Sequence, residues 1–273
     1  MIRYDLHVHT PLSACGSKTD GAPAVYLQRA EEAGLTLVGF SDHSWDFAVP
    51  GVPPFYKEQP YERLPARRGM IPDDTGGIRV LLGAEGEYTR GVLGITEDAK
   101  KYTDYILAPH SHMDVNGLHE PDSSAGDAAF AALADAMLQS LYSLCTHPQR
   151  GLFFGVVHPM YPTGYRPESM ERVYAHIRDE ALDKVCSAAR ENGVFLELNL
   201  SSFRHWTPEQ ARTCCYARFF EAVKRTGCDL FLGSDSHDTH TFAARHASRE
   251  ALLAALGLDA ARFTAAERRI RRA

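Results

Sequence analysis

Histidines and carboxylates recur in this 273-residue chain at spacings that suit a metal centre. Near the N-terminus runs Asp5-Leu6-His7-Val8-His9, and if it is a strand, alternation puts Asp5, His7 and His9 on one face. Further along stand Ser41-Asp42-His43, Gly83-Ala84-Glu85, Pro109-His110, Val157-His158, the pair Glu197 and Asn199, and Asp235-Ser236-His237. Each alone has an ordinary reading: a lone histidine at a strand end is usually a hydrogen-bonded structural residue, and Glu85 alone reads equally as a turn residue. The whole set is much harder to assign to chance. Imidazole and carboxylate together suit zinc, iron or manganese. His112, two residues beyond His110, can point the same way. His176 and His246 fall on expected helices, and His119, His147, His205 and His240 in loops or near helix ends.

The elements that must position these residues alternate. Strands are expected at 4–9, 35–42, 79–88, 104–110, 152–158, 194–199 and 229–235. Helices are expected near 23–33, 126–144, 167–191, 208–226 and 241–256. Thr207 before Pro208 reads as a helix start, and Gly34, Gly193 and Gly227 as helix stops. Strand–helix alternation over the whole length predicts parallel strands with helices outside them. In a parallel barrel the C-terminal strand ends converge on one rim, where the active sites of such barrels lie. Residues 43–78, rich in proline, glycine and aromatics, read as a long loop or lid, and 111–124 as a second irregular stretch. A single domain over 1–273 is expected.

Composition sets outer bounds. Lys and Arg number 29 against 35 Asp and Glu, a net charge of −6 that offers no general attraction for nucleic acid or anionic membrane. With 44% hydrophobic and 23% charged residues, neither disorder nor low complexity fits. No apolar run approaches the ~18 residues of a membrane span, and the N-terminus leaves no room for a signal peptide, so a cytoplasmic location is expected. The six cysteines form no Cys-x-x-Cys pair. Most read as small core residues. Cys15 is the exception, in a loop six residues after His9 where Gly16 allows a tight turn.

The motifs Asp5-Leu6-His7-Val8-His9-Thr10, Ser41-Asp42-His43, Gly83-Ala84-Glu85, His110, His158-Pro159 and Gly233-Ser234-Asp235-Ser236-His237 resemble those of the polymerase-and-histidinol-phosphatase (PHP) superfamily. The resemblance runs from residue 5 to about residue 240. It implies an α/β fold, a distorted (β/α)7 barrel with two or three divalent transition-metal ions (Zn, Mn or Fe) at its C-terminal rim. It implies His7, His9, Glu85 and Asp235 on one ion, and Glu85, His110 and His158 on a second, Glu85 bridging. His43 and His237 are implied for a third, and Cys15 stands where many members carry the remaining histidine. Within the superfamily the chain is most similar to histidinol-phosphate phosphatases. Asn199-Leu200-Ser201-Ser202-Phe203-Arg204 resembles a stretch whose arginine is a phosphate-binding candidate.

The chemistry can be argued from the residues as well. Hydrolysis of a phosphate monoester needs a nucleophile at neutral pH and neutralisation of charge on the phosphoryl group. Divalent cations supply both, and Arg204 adds a charge-assisted contact to phosphate. For the leaving group's proton, Asp42, His205 and water are candidates. Glu87 is the candidate for a cationic part of the substrate, such as the histidinol ammonium, and His205 is a further substrate contact. Asp5 is expected to orient a ligand imidazole. A thiolate at Cys15 would favour zinc. The leading reading is thus a metal-dependent phosphomonoesterase acting on a small phosphate ester, histidinol phosphate first. Two others stay open. An amidohydrolase-like metal hydrolase often carries a metal-bridging modified lysine, and no lysine falls at an expected strand end. The acidic net charge argues against a nucleic-acid-processing module.

Overall fold

In the computed structural model, residues 1–272 are described except 111, 113, 114, 116–118 and 163. Seven strands form one parallel sheet: β1 (Tyr4–Val8), β2 (Leu37–Ser44), β3 (Arg79–Gly86), β6 (Ile106–Pro109), β7 (Gly155–Val157), β8 (Phe195–Asn199) and β9 (Leu230–Gly233). The short antiparallel pair β4 (Tyr88–Thr89) and β5 (Val92–Leu93) is a separate ribbon after β3. The sheet curls until its edges meet at the C-terminal end. His9 N–H donates to Ser236 O at 2.9 Å and Asp235 N–H to His7 O at 2.7 Å. The result is the expected distorted (β/α)7 barrel, with every expected strand present; most are shorter than expected, whereas β2 starts two residues later and runs on to Ser44. Apolar residues such as Leu6, Phe40, Leu107, Leu196 and Phe231 are fully buried, as strands covered on both faces require.

Helices α1 (Pro23–Glu32), α2 (Asp127–Cys145), α3 (Pro167–Ala175), α4 (Asp179–Glu191), α5 (Pro208–Ala211), α6 (Ala217–Thr226), α7 (Thr239–Leu256) and α8 (Ala261–Ile270) cover the outside. Two expected helices are each broken in two. Arg218 donates to the carbonyls of Tyr174 and Ile177 at 2.8 and 2.7 Å, taking acceptors at the end of α3 while pairing with Asp179 at the start of α4. The second break lies at Cys214–Cys215, where Cys215 N–H turns to Glu171 Oε1. Helix α8 lies beyond the last expected element; Phe263, Ala266 and Ile270 bury its inner face. Helix α2 alone among the described residues is long and apolar enough to cross a membrane. Its Phe130, Leu133, Met137, Leu141 and Leu144 are instead packed in the core.

The segment 43–78 is folded over the rim. Trp45, Tyr56, Tyr61, Leu64 and Arg67 are buried within it, and Tyr61–Met70 winds as a 3₁₀ helix. Arg67 reaches in to donate to Phe40 O and Gly83 O at 2.8 and 2.6 Å, tying the segment to β2 and β3. Of the irregular stretch 111–124, part lies outside the described residues.

Candidate metal centre

Strand β1 delivers His7 and, one step past its end, His9; both are fully buried. Each ring is held by its Nδ1. His7 Nδ1 donates to Glu197 Oε1 at 2.8 Å, and His9 Nδ1 to Ser13 Oγ at 3.1 Å. Ser13 Oγ in turn donates to Asp42 Oδ1 at 2.7 Å. With Nδ1 so engaged, both imidazoles turn Nε2 to the same point, and these two atoms stand 3.2 Å apart. Nε2 atoms this close are compatible with a shared proton or with a shared cation. Glu85 Oε2 lies 3.3 Å from His7 Nε2 and 3.5 Å from His9 Nε2. Asp235 Oδ1 lies 3.6 and 3.4 Å from the same two atoms. Tetrahedral donors bonded to one ion at about 2.0–2.2 Å stand about 3.3–3.6 Å apart, so the residues fit a shared cation.

The other oxygen of Glu85 faces a second group. Its Oε1 lies 3.0 Å from His158 Nε2 and 3.7 Å from His112 Nε2. Glu85, His112 and His158 converge closely enough to hold an ion. A carboxylate with one oxygen in each of two donor sets has the disposition of a bridge. Burial alone would raise the Glu85 carboxyl, but His43, His7 and His112 hold it well below the usual range. Asp235 is likewise held low against burial, chiefly by His7.

His110 takes a different place from the one expected. Its Nε2 donates to Met137 O at 2.9 Å, and its Nδ1 accepts from Met160 N–H at 3.1 Å. Both nitrogens are used by backbone, and burial lowers its pKa to about 4. It is a neutral core histidine, and His112 supplies the nitrogen near Glu85 instead.

A third group joins His9, Cys15, His43 and His237. His43 Nδ1 is 3.0 Å from Glu85 Oε2 and 3.3 Å from Tyr56 Oη, leaving Nε2 as its lone-pair nitrogen. The His237 ring stacks on His9 at 4.2 Å. The loop carrying Cys15 is closed by Ser17 N–H donating to His237 O at 2.9 Å, and a Cβ at Gly16 would collide with Thr10 O. Cys15 is exposed. Burial of the thiol itself, with the Glu85 and Asp235 charges, pushes its pKa far up when no cation is bound. A cation at the site reverses that logic, since a coordinating thiol loses its proton.

Several expected roles change. The Asp42 carboxylate accepts from Thr10 N–H, Thr10 Oγ1, Ser13 Oγ and Arg67 Nη1 at 2.8, 2.9, 2.7 and 3.3 Å. Burial opposes ionisation, yet Arg67 and His9 keep the group below the usual carboxylate range. An ionised, saturated carboxylate has no proton to give, so Asp42 is a positioning residue and not a general acid. Glu87 is fully buried and accepts from Tyr56 Oη, His112 Nδ1 and Tyr88 N–H at 2.8, 2.8 and 2.9 Å. It orients His112 and, being fully buried among these partners, is not exposed to a substrate ammonium. The charges of Glu87 and Glu85 raise His112 to about 9 against the opposing effect of burial. Asp5 accepts from the backbone of His7 and Ser234 and from His246 Nε2, so it braces β1 and does not hold a donor ring. Arg204 and His205 are exposed in the loop after β8, outside the cluster. Partial burial and Arg204 lower the His205 pKa below its ordinary value.

Glu197 is the chief residue the sequence left without a role. It serves His7 through Oε1, while Oε2 accepts from His158 N–H at 2.6 Å and Asn199 Nδ2 at 2.9 Å. A Cβ at Gly233 would run into Glu197 Oε1 and His7 Cβ, so glycine is needed there. His158 and Asp235 both adopt positive φ, 35° and 51°, a costly backbone that aims their side chains inward at the strand ends.

A parallel barrel with a convergent imidazole–carboxylate set at its C-terminal rim defines a metal-dependent hydrolase. The chain belongs to the PHP domain family, whose model matches residues 5–201. It is 28% identical over 237 residues to a probable phosphatase of Shewanella frigidimarina, covering 85% of this chain and 77% of that one. A probable phosphatase of Proteus mirabilis is 26% identical over 239 residues, 87% of this chain and 79% of the other. In fold it is similar to the histidinol phosphate phosphatase of Lactococcus lactis solved with zinc, L-histidinol and phosphate, with a TM-score of 0.58, 16% identity and 94% of each chain covered.

Proposed function

We propose that this metal-dependent phosphatase hydrolyses a small phosphomonoester at the Glu85 cluster. The observation that carries the reading is Glu85 itself, buried, ionised and with one oxygen in each of two donor sets. His7, His9, Glu85 and Asp235 would hold one cation, and Glu85, His112 and His158 a second. His43, His237 and Cys15 would hold a third. Bound cations would lower the pKa of water to supply the nucleophile and neutralise charge on the phosphoryl group.

The chain's own part is orientation. Glu197 orients His7, the Asp42–Ser13 pair orients His9, and Glu87 orients His112, each through Nδ1 so that Nε2 would face a bound cation, which would displace any proton held there. Arg204, at the rim, is positioned for an anionic part of the substrate, and His205 lies beside it. Histidinol phosphate remains the reference ester because of the shared fold, although Glu87 does not supply its ammonium contact.

The test is phosphate release from a panel of esters, histidinol phosphate included, by metal-free and metal-reconstituted protein. Amides and single-stranded DNA serve as contrasts. Metal-dependent hydrolysis of phosphomonoesters alone is expected. Cleavage of amides or DNA in preference to every monoester would overturn the reading.

A further inference from the structure

Resting on the phosphomonoesterase reading, we propose that the cleft between the β8 loop and α7 binds a second, non-scissile anionic group of the substrate through Arg204 and Arg245. The cleft has a volume of about 340 Å³ and is walled by Leu200, Phe203 and Trp206 on one side and by α7 on the other. No residue that lines it belongs to the cation cluster. An anion held here is therefore not the one being cleaved.

The cleft nonetheless adjoins the cluster. Arg245 Nη1 donates to Ser234 O at 3.0 Å, Asp235 O at 2.7 Å and Ser236 Oγ at 3.1 Å, which pins its guanidinium on the strand end that carries Asp235. Those bonds use one nitrogen and leave Nε and Nη2 without a partner among the described residues. Among the described residues, the side chain of Arg204 donates only to the carbonyl of Ser201 in its own turn, at 3.3 Å.

Neither arginine forms an ion pair with a carboxylate among the described residues. Arg166, Arg172, Arg218 and Arg225 each do. Both arginines line the same cleft. An anion between them gains charge-assisted hydrogen bonds from planar donors. The apolar wall accommodates a short carbon linker, and a volume of this order is that of a small-molecule site. The substrate class is thus a phosphomonoester with a carboxylate or a second phosphate, not one whose other end is a cation.

The experiment uses metal-reconstituted protein and two readouts. Calorimetric titration compares propylphosphonate with phosphonopropionate, which adds a terminal carboxylate, and with propane bisphosphonate. Turnover compares glycerol phosphate, phosphoglycerate and histidinol phosphate. We expect a preference of about tenfold or more for the ligand and ester with the second anion. Arg204→Gln and Arg245→Gln should each remove most of that preference while metal content is retained, and the carboxylate and bisphosphonate arms tell which anion is favoured. Equal affinity for all three phosphonates, or equal losses on every ligand in both variants, overturns the subsite and places the arginines on the scissile phosphate. If no ester is turned over, the hydrolase reading fails by itself, while the phosphonate titration still decides the subsite.

Discussion

The inner and outer parts of the rim are built differently. On the inner side, His7, His9 and Glu85 are fully buried, and each imidazole is oriented by a second group: Glu197, the Ser13–Asp42 pair or Glu87. On the outer side, Cys15 is exposed and the His237 side chain is 33% exposed. Among the described residues, the one hydrogen bond of the His237 ring runs from Nδ1 to the Asp235 carbonyl at 3.2 Å. Burial and repulsion by His9 lower His237 to about 4 when no cation is bound. The contrast shows where preorganisation is concentrated. Donors fixed by second groups hold an ion with little reordering, whereas donors on an open loop hold one that exchanges.

The largest effect that would break this comparison lies at Glu85. Glu85→Gln should lower kcat by more than about 100-fold and remove metal from both inner sets, beyond what loss of an orienting group costs. Glu87→Gln should cost about 10–100-fold in affinity for one equivalent only. Equal losses in the two variants, with metal content unchanged in both, would contradict the assignment.

Next comes Arg67, which supports the inner side from beneath. Arg67→Met leaves Asp42 buried without its cation and should destabilise the fold by about 3–5 kcal/mol, read by denaturant unfolding. A change below about 1 kcal/mol would show that Thr10 and Ser13 suffice for that carboxylate.

The two neighbouring histidines then sharpen the comparison. His112→Asn should lose one metal equivalent and also lower the thermal midpoint of the metal-free protein, because buried Glu87 loses its charged partner. His110→Asn should keep the metals and lose about 1–3 kcal/mol through its buried backbone partners. The His110 contribution also has a sign. Its folded pKa is depressed to about 4 from 6.5, so the unfolded chain binds the extra proton between those values. Stability from this group is present above about pH 6.5 and is lost as pH falls towards 4. Metal-free wild type should lose stability across that window more steeply than metal-free His110→Asn.

The smallest effect is expected on the outer side. Cys15→Ala should lose one zinc equivalent that the inner sites retain, and Cys15→His should keep it. Three equal stoichiometries would leave Cys15 without a ligand role.

Much of the site was legible because parallel strands and period-two alternation place His7, His9, Glu85, His158 and Asp235 at one rim without further information. Alternation fails where a strand stops. His110 and His112 have the same parity, and only the approach of Met137 O and Met160 N–H, from α2 and the loop after β7, decides between them. Glu87 shares the face of Glu85, but its fate depends on Tyr56, contributed by a segment that reads as a loop. Glu197 was visible as a strand-end residue, yet its two-sided service to His7 and His158 is a tertiary fact. The helix breaks were hidden for the same reason, since Arg218 and Glu171 act on them from other helices.

The central claim is that Glu85 joins two cation sites that act together on a phosphate ester. Its most direct test is to titrate metal-free wild type and Glu85→Gln with zinc or manganese, following bound metal by element analysis and hydrolysis of nitrophenyl phosphate together. The account predicts that wild-type activity rises with the second equivalent, and that Glu85→Gln neither binds two ions tightly nor turns over. Full activity without added metal, or a Glu85→Gln variant that binds both ions and hydrolyses the ester at the wild-type rate, would contradict it.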